Sequence, residues 1–369
     1  MICLWPRDSH GLRKLWEHLC VLTIVLIFIS FLAIPNLCWL SKQTEFIAII
    51  DNFAYPISFV NIVLKILVIH GKRNVLLPVL NMIAEDWAKS KTDKERAVMF
   101  RYARIARVVN KFSCVAGAVS LTPIIVLPIF GVRMRHTTGE IDRFPIPADY
   151  AYDVSRSPYY EMIYVAQIMM LWVMLMCYSG IDMFFGTVVL HICGQAENLR
   201  ARIASERRFE NFQQALAAIV SDHTRLSRAV DVIENTFTVI LLIVMLFFGV
   251  ISCMYSTEII SMIAEKDTFS SMRVLFMLLA ISSSFIQMSF YFIAGQALEN
   301  QSQGIYDATY ECEWLNLKSN EMRSLLLVMT KSKKPLFVTA GKLFPMTMLT
   351  FGNITKICFS YISFLLTKL

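Results

Sequence analysis

Seven long apolar runs, separated by short or charged segments, dominate the chain. They fall at about 19–40, 46–69, 112–132, 159–194, 237–263, 273–295 and 343–366. Crossing the hydrocarbon layer as a helix takes about 20 residues, and each run is long enough. In lipid every backbone group must be satisfied within its own segment, so the pattern predicts an all-α, polytopic membrane protein with seven transmembrane helices. The fourth run exceeds one crossing and continues into a charged helical arm, 195–235, so its far end should project into water. Pro123 and Pro128 predict a kinked or unwound second half of the third span. Residues 296–334 are polar again and include an amphipathic run from Glu313 to Thr330.

The last run is not uniformly oily. Between Leu343 and Leu366 the single charge is Lys356. On a 3.6-residue wheel, Met346, Thr350, Asn353, Ile357, Ser360, Tyr361, Phe364, Thr367 and Lys368 share one stripe. Met348, Phe351, Thr355, Phe359, Ile362 and Leu366 lie opposite. A polar ribbon along a membrane helix must face protein or water. It can glue helices together, or it can line an aqueous pore.

Composition agrees with a membrane protein. Of 369 residues 56% are hydrophobic and 17% charged, with a mean hydropathy of +0.55. The net charge of +7 sits between spans and does not point to nucleic acid. It sets orientation instead, because cations flanking spans stay in the cytoplasm. With the N-terminus inside, the inner segments carry 24 Lys and Arg against 8 outside. The N-terminus is therefore expected to be cytoplasmic and the C-terminus extracellular, and 195–235 and 296–334 to be cytoplasmic. The first run has no small-residue cleavage site behind a short core, so it reads as a span rather than a signal peptide.

Candidate chemistry is sparse. The nine cysteines lie mostly in or beside spans and read as small buried hydrophobes. His191 and Cys193 are too few to make a metal site. Asp51, Asn52, Asn61 and Lys65 in the second span are costly at depth unless they face a cavity or a partner. Asp182 in the fourth span suits an ion pathway or a buried pair with a basic neighbour. No phosphate loop, nucleophile elbow, zinc-protease helix or dinucleotide fingerprint occurs, so no enzymatic activity, cofactor or metal is expected.

Three blocks carry a family likeness. They are Tyr152 to Glu161 (YDVSRSPYYE), His191 to Leu199 (HICGQAENL), and Thr339 to Phe344 (TAGKLF) followed by Phe351 and Ser360-Tyr361-Ile362-Ser363. In this order and spacing the chain resembles the insect odorant receptors over its whole length. The last quartet is usually Ser-Tyr-Phe-Thr in that family, so Ile362 and Ser363 depart from it conservatively. The resemblance implies an odour-tuning subunit of a ligand-gated, non-selective cation channel, since the long inner-loop insertion of the co-receptor is absent. It implies a hetero-tetramer with an obligate odorant co-receptor in the plasma membrane of olfactory sensory neurons, joined through a cytoplasmic anchor that 195–235 and 296–334 match. The C-terminal helix would line the pore, with Asn353, Ile357, Ser360, Tyr361, Phe364, Thr367 and Lys368 facing it and an outer gate near Phe364, Thr367 and Lys368. A lysine at a cation-channel mouth should repel the permeant ion unless it turns outward or other subunits dominate conduction.

A small volatile ligand needs an apolar, aromatic cavity with a few polar groups. The resemblance puts it in the outer halves of spans two, three, four and six, where Phe53, Tyr55, Phe59, Thr122, Tyr164, Gln167, Ile168, Leu171, Trp172, Ser282 and Ile286 are available. For any single one of these residues, core packing in a membrane bundle is the commoner use. The alternatives are a gustatory receptor channel, a G-protein-coupled chemoreceptor and a transporter. The first usually ends in a glutamine-containing motif absent after Tyr361, the second has the opposite orientation, and the third would show internal repeats.

Overall fold

A computed structural model describes residues 12–130, 144–154, 156–205, 212–264, 271–311 and 318–367. The described residues are almost entirely helical: α1 Leu12–Ile27, α2 Ile34–Ser41, α3 Phe46–Ala88, α4 Asp93–Val126, α5 Tyr159–Ser205, α6 Phe212–Ala264, α7 Ser271–Glu311, α8 Ser319–Ser332 and α9 Met348–Leu366. Two short strands, β1 Thr339–Ala340 and β2 Phe344–Pro345, precede α9. Seven helical stretches are long and apolar enough to cross a membrane, as the sequence pattern predicts. α1 and α2 form the first of them, joined by a π-helical turn at Phe28–Ala33. Pro35 cannot donate to the Phe31 carbonyl four residues back, and the Tyr150 hydroxyl supplies a hydrogen bond there at 3.3 Å.

α3, α5, α6 and α7 have 43, 47, 53 and 41 residues. At ~1.5 Å per residue they are about 60–80 Å long, twice a hydrocarbon layer, so each extends well into water. α4 opens on a capping box between Thr92 and Glu95. It passes Pro123 as α-helix and tightens to a 3-10 turn only at Leu127–Phe130, around Pro128. The expected unwinding of the third span is therefore confined to its tip. The arm at 195–235 is helical on both sides of 206–211, as the adjoining ends of α5 and α6. Of the run Glu313–Thr330, residues 313–317 lie outside the described set and the remainder belongs to α8.

The main core runs through the bundle, from Phe28, Leu32 and Ile146 at one end to Val338, Ala340 and Met346 at the hairpin. Phe185, Phe237, Tyr291 and Phe292 are fully buried, with the Phe185 ring 5.0 Å from Phe237 and 5.3 Å from Tyr291. A smaller cluster of Ala54, Ile251, Tyr255, Met262, Phe276 and Met277 closes the α6–α7 end. On the same side the loop Phe144–Ala148 is buried. Its carbonyls are satisfied by side chains, Asn36 on Pro147 at 2.8 Å and Tyr55 on Pro145 at 3.1 Å. Gln167 brackets Ile146, accepting from its N–H at 3.1 Å and donating to its carbonyl at 3.2 Å.

Ion pairs hold the opposite, charged end. Arg202 joins Glu95 at 3.0 Å and Asp222 at 2.7 Å, and Asp86 accepts from Arg225 at 2.5 Å and meets His191 at 3.0 Å. Burial pushes the Asp86 carboxyl up, but the His191 and Arg225 hydrogen bonds outweigh it and leave the group below its ordinary value. His191 thus pairs with a carboxylate, and Cys193 packs in the core.

The last span starts later than its apolar run suggests. Thr339 pairs with Pro345 and Ala340 with Phe344, around Gly341 and Lys342 at φ 63° and 60°. Thr347 then caps α9, accepting from Thr350 N–H. The expected span at 343–366 becomes a 19-residue helix, because 339–345 make a hairpin that is bonded to α6. Gly341 N–H donates to the Thr238 carbonyl at 2.8 Å, and Thr339 N–H to Glu234 at 2.7 Å.

Candidate ligand cavity and C-terminal helix

Between the two apolar clusters lies a cavity of about 400 Å³. Five helices form it: α3 through Tyr55, Phe59, Asn61 and Ile62; α4 through Phe112, Ala116, Gly117 and Leu121; α5 through Leu171, Met174 and Tyr178; α6 through Phe247, Ile251 and Tyr255; and α7 through Phe276, Ala280, Ser283, Ile286, Gln287 and Phe290. Local sequence explains the space. Ala116, Gly117 and Ser120 on α4, and Ala280, Ser283 and Ser284 on α7, present small side chains towards large aromatics. A Cβ on Gly117 would meet Leu175 Cδ1 at 2.7 Å.

The walls are mostly apolar, but one end is a linked polar cluster. Lys65 Nζ lies 2.7 Å from Asp182 Oδ1 and 3.5 Å from the centre of the Tyr178 ring. Gln287 donates to Asp182 Oδ2 at 2.6 Å, the Tyr291 hydroxyl donates to Oδ1, and Tyr178 donates to Gln287 Oε1 at 2.9 Å. Asp182 therefore pairs with a basic neighbour, one of the two readings open from sequence. The pair is deeply buried, so its worth depends on these additional hydrogen bonds, which offset the loss of water around both charges.

Of the residues proposed from sequence, the structure brings Tyr55, Phe59, Leu171 and Ile286 to the cavity wall. Tyr164 and Gln167 are buried nearby in other work: Tyr164 donates to the Ile125 carbonyl at 2.7 Å, and Gln167 holds the 144–150 loop. Ile168 packs between the main core and that loop. Thr122 and Ser282 are exposed and bond back to their own helices. Phe53 and Trp172 are partly exposed on the outside of the bundle. Sequence reasoning did not assign Asn61, Tyr178, Tyr255, Phe276 or Gln287 to the cavity. The signal for Asn61 was present as a polar residue deep in an apolar span.

α9 touches its own chain along one edge. Phe351 is buried between Phe285, at 5.1 Å, and Phe292, at 5.3 Å, and Ile354 and Cys358 continue the contact. Asn353, Ile357, Ser360, Phe364 and Thr367 are exposed on the other side. Tyr361 stands at the margin, its hydroxyl 3.2 Å from Thr257 Oγ1. Met346 precedes the helix and is buried, and Lys368 lies outside the described residues. The polar stripe from Asn353 to Thr367 thus faces away from the bundle.

A family model described as 7tm odorant receptor matches residues 45–359. The chain is 24% identical to Odorant receptor 10 of Aedes albopictus over 331 residues, covering 87% of this chain and 84% of that one. It is 23% identical to Odorant receptor Or2 of Anopheles gambiae, covering 86% and 84%. Its fold is similar to the insect olfactory receptor OR5 from Machilis hrabei in complex with eugenol, with a TM-score of 0.83 at 15% identity over 100% of this chain and 96% of that one.

Proposed function

The chain belongs to the 7tm odorant receptor family, and we propose that it is an odour-tuning, ligand-gated cation channel subunit whose C-terminal helix lines the pore. The observation that carries this reading is the direction of the α9 stripe. A single chain leaves Asn353, Lys356 and Ser360 uncovered on a helix that crosses lipid. Polar groups at that depth need protein or water against them. A central pore shared with other subunits supplies both, and an obligate co-receptor in a hetero-tetramer is the assembly we infer. On this reading the inner ends of α5, α6 and α7, with α8, form the cytoplasmic anchor, the N-terminus is inside, and the complex works in the plasma membrane of olfactory neurons.

The ligand site we infer is the 400 Å³ cavity, which lies within the range of small-molecule pockets. The OR5 complex with eugenol, a small volatile phenol, supports a ligand of that scale. Gating follows as a population shift: the ligand binds the open arrangement better and displaces the wall helices. A ~100-fold preference supplies about 2.7 kcal/mol, enough to open a channel resting near that balance. α7 connects the two sites directly. It lines the cavity through Phe290, and five residues later Gly295 abuts the segment that leads into α9.

Whole-cell current tests the reading. The chain is expressed with and without an odorant co-receptor, an odour panel is applied, and G-protein signalling is blocked. A fast cation current that requires the co-receptor is the expected result. A response that needs G proteins and survives without the co-receptor overturns the pore assignment.

A further inference from the structure

We propose that the deep end of the cavity is a hydrogen-bonding subsite, built on Asn61, that selects neutral ligands carrying a hydroxyl group on an apolar body. The proposal rests on reading the cavity as the ligand site. Asn61 lines the cavity and is 1% exposed. It stands beside Tyr178, yet neither its Nδ2 nor its Oδ1 closes a well-formed hydrogen bond. Its neighbours are committed elsewhere: Tyr178 to Gln287, Gln287 to Asp182, and Asp182 to Lys65. The Tyr178 oxygen gives Nδ2 at best a poor contact and Oδ1 has no donor, which is costly for a buried amide, so a ligand that satisfies it gains what the protein alone forgoes.

The class of head group follows from the chemistry. The Lys65–Asp182 pair is neutral as a unit, so a charged ligand would find no countercharge. A carbonyl accepts from Nδ2 but leaves Oδ1 bare. A hydroxyl donates to Oδ1 and keeps lone pairs for Nδ2–H. The body is bounded by volume. A 150 Å³ cavity takes a benzene, so at equal filling about 400 Å³ takes about 16 heavy atoms. Phe59, Phe247 and Phe290 give that body aromatic walls.

Carvacrol, its methyl ether and p-cymene share one skeleton and differ at the head group. Their binding to the purified full-length chain in lipid nanodiscs is read from the concentration dependence of thermal stabilisation. Carvacrol should half-saturate at least about tenfold below the other two, the scale of one well-made hydrogen bond. In Asn61→Leu the three should converge to within about threefold while p-cymene binding is kept, and in Asn61→Ser the carvacrol preference should partly return. Equal binding of all three to the natural chain, or an undiminished carvacrol preference in Asn61→Leu, overturns the subsite. Ala116→Phe separates this from the underlying reading. It fills the cavity from α4, so it should weaken all three ligands. If it weakens none, the cavity is not the ligand site. If it weakens all three and Asn61→Leu changes no preference, the subsite alone fails.

Discussion

The buried pair Lys65–Asp182 makes a quantitative prediction. Lys65 is 1% exposed and Asp182 is 7% exposed, and the carboxylate takes three donors: Lys65 at 2.7 Å, Gln287 at 2.6 Å and the Tyr291 hydroxyl. Removing one member of such a pair strands the other and costs about 3–5 kcal/mol. Lys65→Met leaves Asp182 with two neutral donors, which places it near about 3 kcal/mol. Asp182→Leu strands a cation and two donors together, which places it near about 5 kcal/mol. The double substitution removes both charges and leaves only Gln287 and Tyr291 short of an acceptor, a cost of about 3–4 kcal/mol. The two effects should therefore fail to add by about 4 kcal/mol. At ~2 °C per kcal/mol, thermal unfolding in nanodiscs should fall by about 6 °C and 10 °C for the single changes and by about 6–8 °C for the double. A double variant that loses about 16 °C, the simple sum, would refute the coupling. Single changes worth under about 1 kcal/mol would show a pair that water screens.

Other expected outcomes are simpler. Gly295→Ala places a Cβ 2.2 Å from the Met346 carbonyl oxygen, so the hairpin must move, and thermal unfolding should show a loss of at least about 1–3 kcal/mol. Gly249 has nothing within 4 Å of a built Cβ, so Gly249→Ala in the same assay should be neutral or stabilising by up to about 1 kcal/mol. Phe351→Ala removes the one buried residue of α9, and current amplitude should drop with little change in the cavity's affinity for ligand. His223 is held below the ordinary imidazole value by burial and then by Lys331. Below about pH 6.5 the unfolded chain then binds more protons at this position, so stability should fall as pH drops from 7.5 to 5.5. His223→Gln should flatten that part of the unfolding profile, and an unchanged slope would remove His223 from the account.

Much of the fold was legible because membrane spans announce themselves. Lipid forces a continuous apolar run for every crossing, so length and hydropathy located the helices before any packing was known. The stripe on α9 was legible for the same reason: a 3.6-residue period survives whatever the neighbours are. Its start was not. Leu343 to Thr347 are apolar enough to continue a span, but the positive φ at Gly341 and Lys342 and the bonds to Thr238 and Glu234 fold 339–345 into a hairpin. Cavity residues were the least legible. Ser282 and Ser283 are adjacent, and a single step turns a side chain by about 100°, enough to move it from exposed surface to cavity wall. Gln167 had the right depth and polarity, but a buried loop claimed it. Asn61 and Asp182 were flagged by cost alone, and cost does not say which partner will meet it.

The contact at Gly295 also has a mechanical meaning. Most of this bundle is joined through layers of Phe, Met and Leu side chains, and such layers are compliant. They take up a few tenths of an ångström by small rotations before any backbone moves. At Gly295 there is no such layer, because a Cβ there would lie 2.2 Å from the Met346 carbonyl oxygen and 2.7 Å from its Cβ, so the two backbones meet almost directly. The hairpin is fixed to α6 on its other flank. A joint of this kind has no slack. Any displacement of α7 at that level, about 7 Å along its axis from the cavity residue Phe290, reaches the root of α9 undiminished. Elsewhere in the molecule the same motion would be damped.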